Sequence, residues 1–213
     1  LAFLLIASLL LIGCGDGSAS SDDAAPLHYP EPKQPTFTVA GAPQREVNKL
    51  AFGVNAFGIE LHKQLAAGSG ADQRNLCFSP YGVHGSLAML IMATQDQQNK
   101  RPKDETRKQL EAAMHLTMMN TELRGTSSTL LNQLYRQGKS NGAAQGGGAY
   151  RIYVANAIWA KQGVEYDKAY LDHIRQFWAS SFHVADFVDH RDDAELEMNQ
   201  LIAKQTGGRV RDG

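Results

Sequence analysis

Residues 75–92 read NLCFSPYGVHGSLAMLIM, and the fold turns on how this stretch is parsed. Leu76, Cys77 and Phe78 form a short β-like run that breaks at Ser79-Pro80. Apolar residues then recur at helical spacing: Val83, Leu87, Leu90 and Ile91. Ser is a strong N-cap and Pro suits the first helical position, so a helix is predicted to begin at Pro80. The segment is a strand, a Ser-Pro turn and a buried helix.

Upstream, residues 47–67 place Leu50, Val54, Phe57, Leu61 and Leu65 on one helical face. Downstream, Asp104 is a cap for a helix through Thr106, Leu110, Ala113 and Met114. A further helix is expected over 121–136, followed by a flexible, glycine-rich connection at 138–148. Residues 150–160 (YRIYVANAIWA) read as a strand, and their near-continuous apolarity from Val154 predicts burial on both faces. A helix over 167–177, a short strand over 182–187 and a last helix capped by Asp192 or Asp193 follow. Glycines at 207 and 208 should stop that helix.

The 213 residues carry 21 Lys and Arg against 22 Asp and Glu, a net charge of -1, which gives no nucleic-acid footprint. Residues 1–12 (LAFLLIASLLLI) are apolar, of signal-peptide length and too short to span a bilayer as a helix. Leu11-Ile12-Gly13-Cys14 resembles the bacterial lipobox, in which the cysteine is diacylated and becomes the mature N-terminus. Acylation at Cys14 would contribute roughly 0.8 kcal/mol per buried methylene to membrane anchoring. An ordinary secretory signal cleaved just beyond is the alternative, and both readings export the chain. No Asn is followed two places later by Ser or Thr, which suits a bacterial exported protein. Residues 15–46, rich in Ser, Asp, Ala and Pro, read as a flexible linker. The ends, Leu1 and Gly213, are read as cuts in a longer chain. With Cys14 acylated or removed, Cys77 has no disulfide partner and is expected to be a buried, inert thiol.

Several motifs together resemble the serpin family. N-x-x-F-S-P over 75–80 is similar to the family's entry to its central helix. Thr106 with Leu110-Glu111 follows, and Val154-Ala155-Asn156-Ala157-Ile158-Trp159 resembles the second strand of sheet A. Phe177-Trp178, then Val184-Ala185-Asp186-Phe187, resembles the family's approach to the sheet. Met198-Asn199 and Thr206-Gly207-Gly208-Arg209-Val210 complete the order. The resemblance implies an α+β fold with helices clustered around a large mixed sheet A, present here as the N-terminal part over 47–213. It implies a serine-type endopeptidase inhibitor, not an enzyme, that traps a serine or cysteine protease as the reactive-centre loop inserts into sheet A. A non-inhibitory serpin used for binding or chaperoning is the alternative. A lipoprotein binding module of another fold is a third. The reactive-centre loop is expected beyond Gly213, so the residues in hand supply no catalytic group.

On this resemblance Ser79, Gly82 and Asn156 fall in the shutter where sheet A parts. Asn199, Thr206, Gly208 and Arg209 mark the crossing helix and its turn. Gly82 stands where the family usually has Ser, a hydroxyl whose hydrogen bond is worth about 0.5–1.5 kcal/mol. Leu201 replaces an aromatic, Ala93 a common Gly, and His84 a small residue, read as a core or edge histidine. The glycines of 206–210 are equally well explained as a helix stop. Lys100, Arg101, Lys103, Arg107 and Lys108 are read as a charged face, not a polysaccharide site, because Asp104 and Glu105 interrupt them. Asp189-His190-Arg191-Asp192-Asp193 is read as a solvated linker. Gly85-Ser86 lacks a nucleophile-elbow context, and Gly146, Gly147 and Gly148 lack the Lys of a phosphate loop. No metal or cofactor is implied.

Overall fold

The computed structural model describes residues 4–12, 38, 41–68, 76–93, 105–144 and 152–210, of which 4–12, 68, 106 and 137–144 are described by their backbone. The elements are β1 (Leu4–Ile12), α1 (Gln44–Gly68), α2 (Pro80–Ala93), α3 (Glu105–Ala113), α4 (Asn120–Ala144), β2 (Ile152–Lys161), α5 (Lys168–Trp178), β3 (Ser181–Ala185) and α6 (Arg191–Thr206). This is a mixed α and β architecture in which a helical cluster backs a small sheet.

α2 forms where the Ser-Pro signal places it. The Ser79 hydroxyl accepts from the Gly82 N–H at 3.0 Å, and Pro80 is the first helical residue. Seven of the 14 residues of α2 are buried along one half of the helix, and all the others but Ala93 are half-buried, as expected of a helix largely enclosed by neighbours. α1 buries Val47, Leu50, Val54 and Phe57, of which Leu50 and Val54 share a core cluster with α2 and Phe57 meets the His84 ring. The predicted stripe overreaches at its C-terminal end, where Leu65 is exposed. α1 and α2 cross tightly: a Cβ on Gly58 would lie 2.7 Å from Pro80 Cβ.

The extended run at 76–79 is not a strand, and Cys77 is exposed. The expectation of a buried thiol is therefore corrected. Among the described residues no strand pairs with this run, and without a partner an extended segment buries little. α4 also differs from expectation. It continues to Ala144, through most of the segment expected to be a flexible connection. Ala, Lys and Gln are good helix formers, and two isolated glycines do not outweigh an established helix. Glu122 caps its start by accepting from the Met119 N–H at 3.1 Å.

β2 is the centre of a three-stranded sheet of order β1-β2-β3. Residues from Ala155 to Ala160 are buried without interruption, so both faces are covered as the apolar run predicts. β3 lies parallel to β2, with Trp159 opposite His183, and α5 makes the crossover between them. Asp167 caps α5, its carboxylate accepting from the Tyr170 N–H at 2.8 Å. α5 ends on Ala179 in the left-handed conformation, φ 53°. β3 ends earlier than expected, because the Asp186 carboxylate accepts from the Val188 and Asp189 N–H groups and turns the chain. That turn leads into α6.

α6 is not capped by Asp192 or Asp193. Its N-cap is His190, with no side-chain cap bond. The two aspartates lie in the first turn, where they complement the helix dipole instead. α6 packs on β2 through a cluster of Ala157, Trp159, Ala185 and Ala194 with Phe187, Met198 and Leu201. Gly207 stops it, at φ 63°. β1 pairs with the other edge of β2, antiparallel, from Leu4 opposite Ala160 to Ile12 opposite Ile152. No described helix is long and apolar enough to cross a membrane. Gly13 and Cys14 of the lipobox and Lys100, Arg101 and Lys103 lie outside the described residues.

Candidate functional site at the central strand

Asn156 is the hydrophilic residue within the buried run of β2, 4% exposed. Burial of an amide demands partners. Its Nδ2 donates to the Trp178 carbonyl at 3.0 Å, tying the strand to the last turn of α5. Ser79 and Gly82 are joined to one another by the cap of α2, and the Gly82 carbonyl accepts from the Ser86 hydroxyl at 3.0 Å. The three residues assigned to the shutter thus sit on two elements, each held by its own hydrogen bonds.

The segment that leaves α6 is held to β2. Thr206 is fully buried, and its hydroxyl donates to the Ile202 carbonyl at 2.8 Å. The Gly208 N–H returns to the Ala203 carbonyl at 2.7 Å, and Gly208 itself is left-handed, φ 75°. Here the helix-stop reading of the glycines is correct. Arg209 goes further: its guanidinium lies over the Tyr153 ring, 4.3 Å from the centroid, and Nη1 donates to the Thr206 carbonyl at 3.2 Å. A guanidinium over an aromatic face is attractive by roughly 0.5–2 kcal/mol, so the exit of α6 is fastened to the start of β2. Asn199 is half-buried on α6, and Leu201 packs in the cluster over Trp159.

Two further features were not anticipated from the sequence. The Trp159 indole stacks on the His183 imidazole, 4.6 Å between centroids and 17° between planes. His183 Nε2 meets the Ser181 hydroxyl at 2.9 Å, and partial burial lowers its pKa. The parallel register that makes these rings neighbours is a tertiary fact, invisible in either segment alone. Arg107 was read as part of a basic face but is 2% exposed. Its guanidinium donates to Glu111 Oε1 at 2.9 Å, to the Ile91 carbonyl at 3.2 Å and to Asn120 Oδ1, joining α2, α3 and α4. Glu111 four residues on was the available signal.

His84 is a core histidine, as expected: Nε2 meets the Met114 carbonyl at 3.2 Å and the ring lies edge-on to Phe57. Burial pushes its pKa down to about 4. Among the described residues no three His, Cys, Asp or Glu side chains converge on a metal position. Asp186 Oδ2 instead pairs with His190 Nδ1 at 3.2 Å within its own turn. The chemistry available here is that of a strand buried on both faces, with an ordered helix fastened across it.

A model of the family described as Serpin (serine protease inhibitor) matches residues 53–213. An uncharacterized serpin-like protein of Thermococcus kodakarensis is 22% identical over 217 residues, covering 98% of this chain and 46% of its own length. Serpin B10 of Rattus norvegicus is 25% identical over 173 residues, covering 76% of this chain and 41% of its own. Among solved structures, cleaved Serpin 42Da superposes with a TM-score of 0.60 at 18% identity, covering 78% of this chain and 38% of that one. Arabidopsis AtSerpin1 in its native stressed conformation gives 0.55 at 17% identity, covering 83% and 39%. The chain therefore spans less than half the length of these relatives.

Proposed function

Because this chain belongs to the serpin family, we propose that it is the N-terminal part of a serine-type endopeptidase inhibitor that works by suicide-substrate trapping. In this reading a target serine or cysteine protease attacks a bait loop carried beyond Gly213. The protease's own nucleophile forms the acyl bond to the scissile carbonyl carbon, and the amine half of the peptide bond leaves. The freed loop then enters the sheet to which β2 belongs, and the acyl-enzyme is trapped before water reaches it. This chain's contribution is the sheet and the elements that let it part: Ser79, Gly82 and Asn156 around the opening, and Asn199, Thr206, Gly208 and Arg209 on the crossing helix and the turn that follows it. The observation that carries the reading is β2 itself, buried on both faces and overlaid by α6. A strand so enclosed is suited to a sheet that gains a member. We further propose that residues 1–14 direct export, with Cys14 as the site of lipid attachment.

The test is incubation of the full-length protein with trypsin-like, chymotrypsin-like, elastase-like and papain-like proteases. A complex of summed mass that survives SDS, accompanied by a sharp rise in the melting temperature of the loop-cleaved protein, is expected. Cleavage with neither complex nor stabilisation would favour the non-inhibitory alternative. For export, mass spectrometry should find a diacylglyceryl group on Cys14, and an unmodified N-terminus downstream of it would end the lipoprotein reading.

A further inference from the structure

α4 and α5 pack side by side, and three side chains close the seam between them. Arg124 of α4 hydrogen-bonds through Nη1 to Nε2 of His173 on α5. The same guanidinium lies over the Phe177 ring, 5.8 Å from its centroid, and the His173 ring leans on Phe177 at 6.2 Å. A guanidinium only donates, so Nε2 accepts and the neutral imidazole carries its proton on Nδ1. Among the described residues no carboxylate pairs with Arg124, which is half-buried. A cation held by an imidazole and an aromatic face depends on that imidazole's staying neutral. The seam adjoins the candidate site, because Phe177 precedes Trp178, whose carbonyl accepts from Asn156 Nδ2 at 3.0 Å. A second fastening touches both helices and does not titrate. The Thr38 N–H donates to the Gln176 carbonyl at 2.7 Å, and the Ala42 N–H to the Thr129 hydroxyl oxygen at 3.0 Å.

We propose that Arg124, His173 and Phe177 form an acid-sensitive latch between α4 and α5, closed while the imidazole is neutral and released when it takes a proton. Protonation removes the lone pair of Nε2 and sets a second cation against the guanidinium, so one of the two side chains must turn away. The surroundings do not cancel this repulsion. On α5, Asp172 is engaged by Lys168 and Arg175, and Asp167 caps the helix. On α4, Glu122 is held at the Met119 N–H, and the charge that faces His173 is that of Arg124. α2 and β3 also pack on α5, and the titratable side chains they bring besides Tyr81 are His84 and His183, held at Met114 and Ser181. Burial and then the Arg124 charge lower the His173 pKa, against the pull of Asp172 and Asp167. The latch therefore contributes fully above the ordinary value of 6.5 and is lost as pH falls below it. Its release loosens the last turn of α5, and with it the carbonyl that holds Asn156, while the contacts of Thr38 and Ala42 keep the two helices together. The latch rests on neither the inhibitor reading nor the export reading.

The test is hydrogen exchange in the full-length protein at pH 7 and pH 5, corrected for the intrinsic pH dependence of amide exchange. Protection of the amides of residues 173–178 should fall about fivefold or more on acidification. His173→Gln keeps an acceptor for Arg124 but does not titrate, and there protection should hold to within about twofold. An equal fall in parent and variant, or no fall in the parent, would overturn the proposal. A second variant covers the case in which His173→Gln does not fold. In Arg124→Met the His173 ring, followed by NMR, should titrate nearer 6.5 than it does in the parent. An unmoved midpoint would sink the latch, because Arg124 would then not govern the ring.

Discussion

His84 shows how a single buried side chain can set a pH limit. Its Nε2 must donate to reach the Met114 carbonyl, so the neutral ring carries its proton there. Burial is the main cause of the depressed pKa, about 4 against 6.5, and the neighbouring His115 pushes the same way. A base with a lowered folded pKa contributes fully above the unfolded value, and that contribution is lost as pH falls from 6.5 towards 4. Between pH 7 and pH 5 the loss from His84 alone should be about 2 kcal/mol. Urea unfolding at the two pH values should show it, and His84→Gln, which keeps a donor towards Met114, should flatten the slope by about that amount. Arg107 is the second residue of this kind. Arg107→Met removes the partner of Glu111, the Ile91 carbonyl and Asn120 together. A loss of about 3 kcal/mol is expected, since breaking a buried pair strands the groups left behind. Arg107→Lys should recover only part of it, because an ammonium lacks the planar fork that reaches three partners. Chemical denaturation of the two variants checks both statements.

At the level of elements, crossings and ends carry the information. α1 meets α2 at Gly58, where a methyl group would press on the Pro80 ring at 2.7 Å. Alanine normally gains about 1 kcal/mol over glycine in a helix, but overpacking against a neighbour costs about 1–3 kcal/mol. Gly58→Ala should therefore lower the melting temperature. At the far end of α5 the balance reverses. Ala179 is left-handed, a conformation glycine adopts without strain. Ala179→Gly should raise stability by about 0.5–1 kcal/mol, measured by calorimetry. The elements themselves were largely legible. Ser79-Pro80 marks the start of α2 and Gly207 the end of α6, because each acts through bonds to neighbours in sequence. What could not be read was what depends on partners distant in sequence. The run at 76–78 looked like a strand from its residues, but a strand exists only with a mate. Arg107 looked exposed because its neighbours in sequence are charged, and its carbonyl partner lies 16 residues away.

For the whole molecule, the question is which surfaces are finished. Leu76 and Cys77 are exposed here, in an apolar run that suits a sheet. The chain covers less than half of the length of the relatives it matches. Cys77 should react with a thiol reagent in the 213-residue chain at the rate of an accessible cysteine. In the full-length protein it should react at least tenfold more slowly, because the added chain covers the run, and equal rates would mean that nothing covers it. The motifs that named the candidate site were legible for the same reason as the caps: Asn156 and Thr206 each sit in a short, recognisable string. The coupling of those strings into one site was not, since Arg209 reaches Tyr153 across 56 positions of chain. One feature of the sheet also carries an optical consequence. Both tryptophans are buried, and Trp159 alone lies face to face with an imidazole, that of His183. A protonated imidazole draws charge from an excited indole and darkens it, while Trp178, with no such neighbour among the ring contacts of the described residues, serves as a steady reference. The seam between β2 and β3 therefore carries a native fluorophore with a quencher that acts only once the pH falls below the lowered pKa of His183, and at such a pH an opening that pulls the two strands apart should brighten the protein without an added dye.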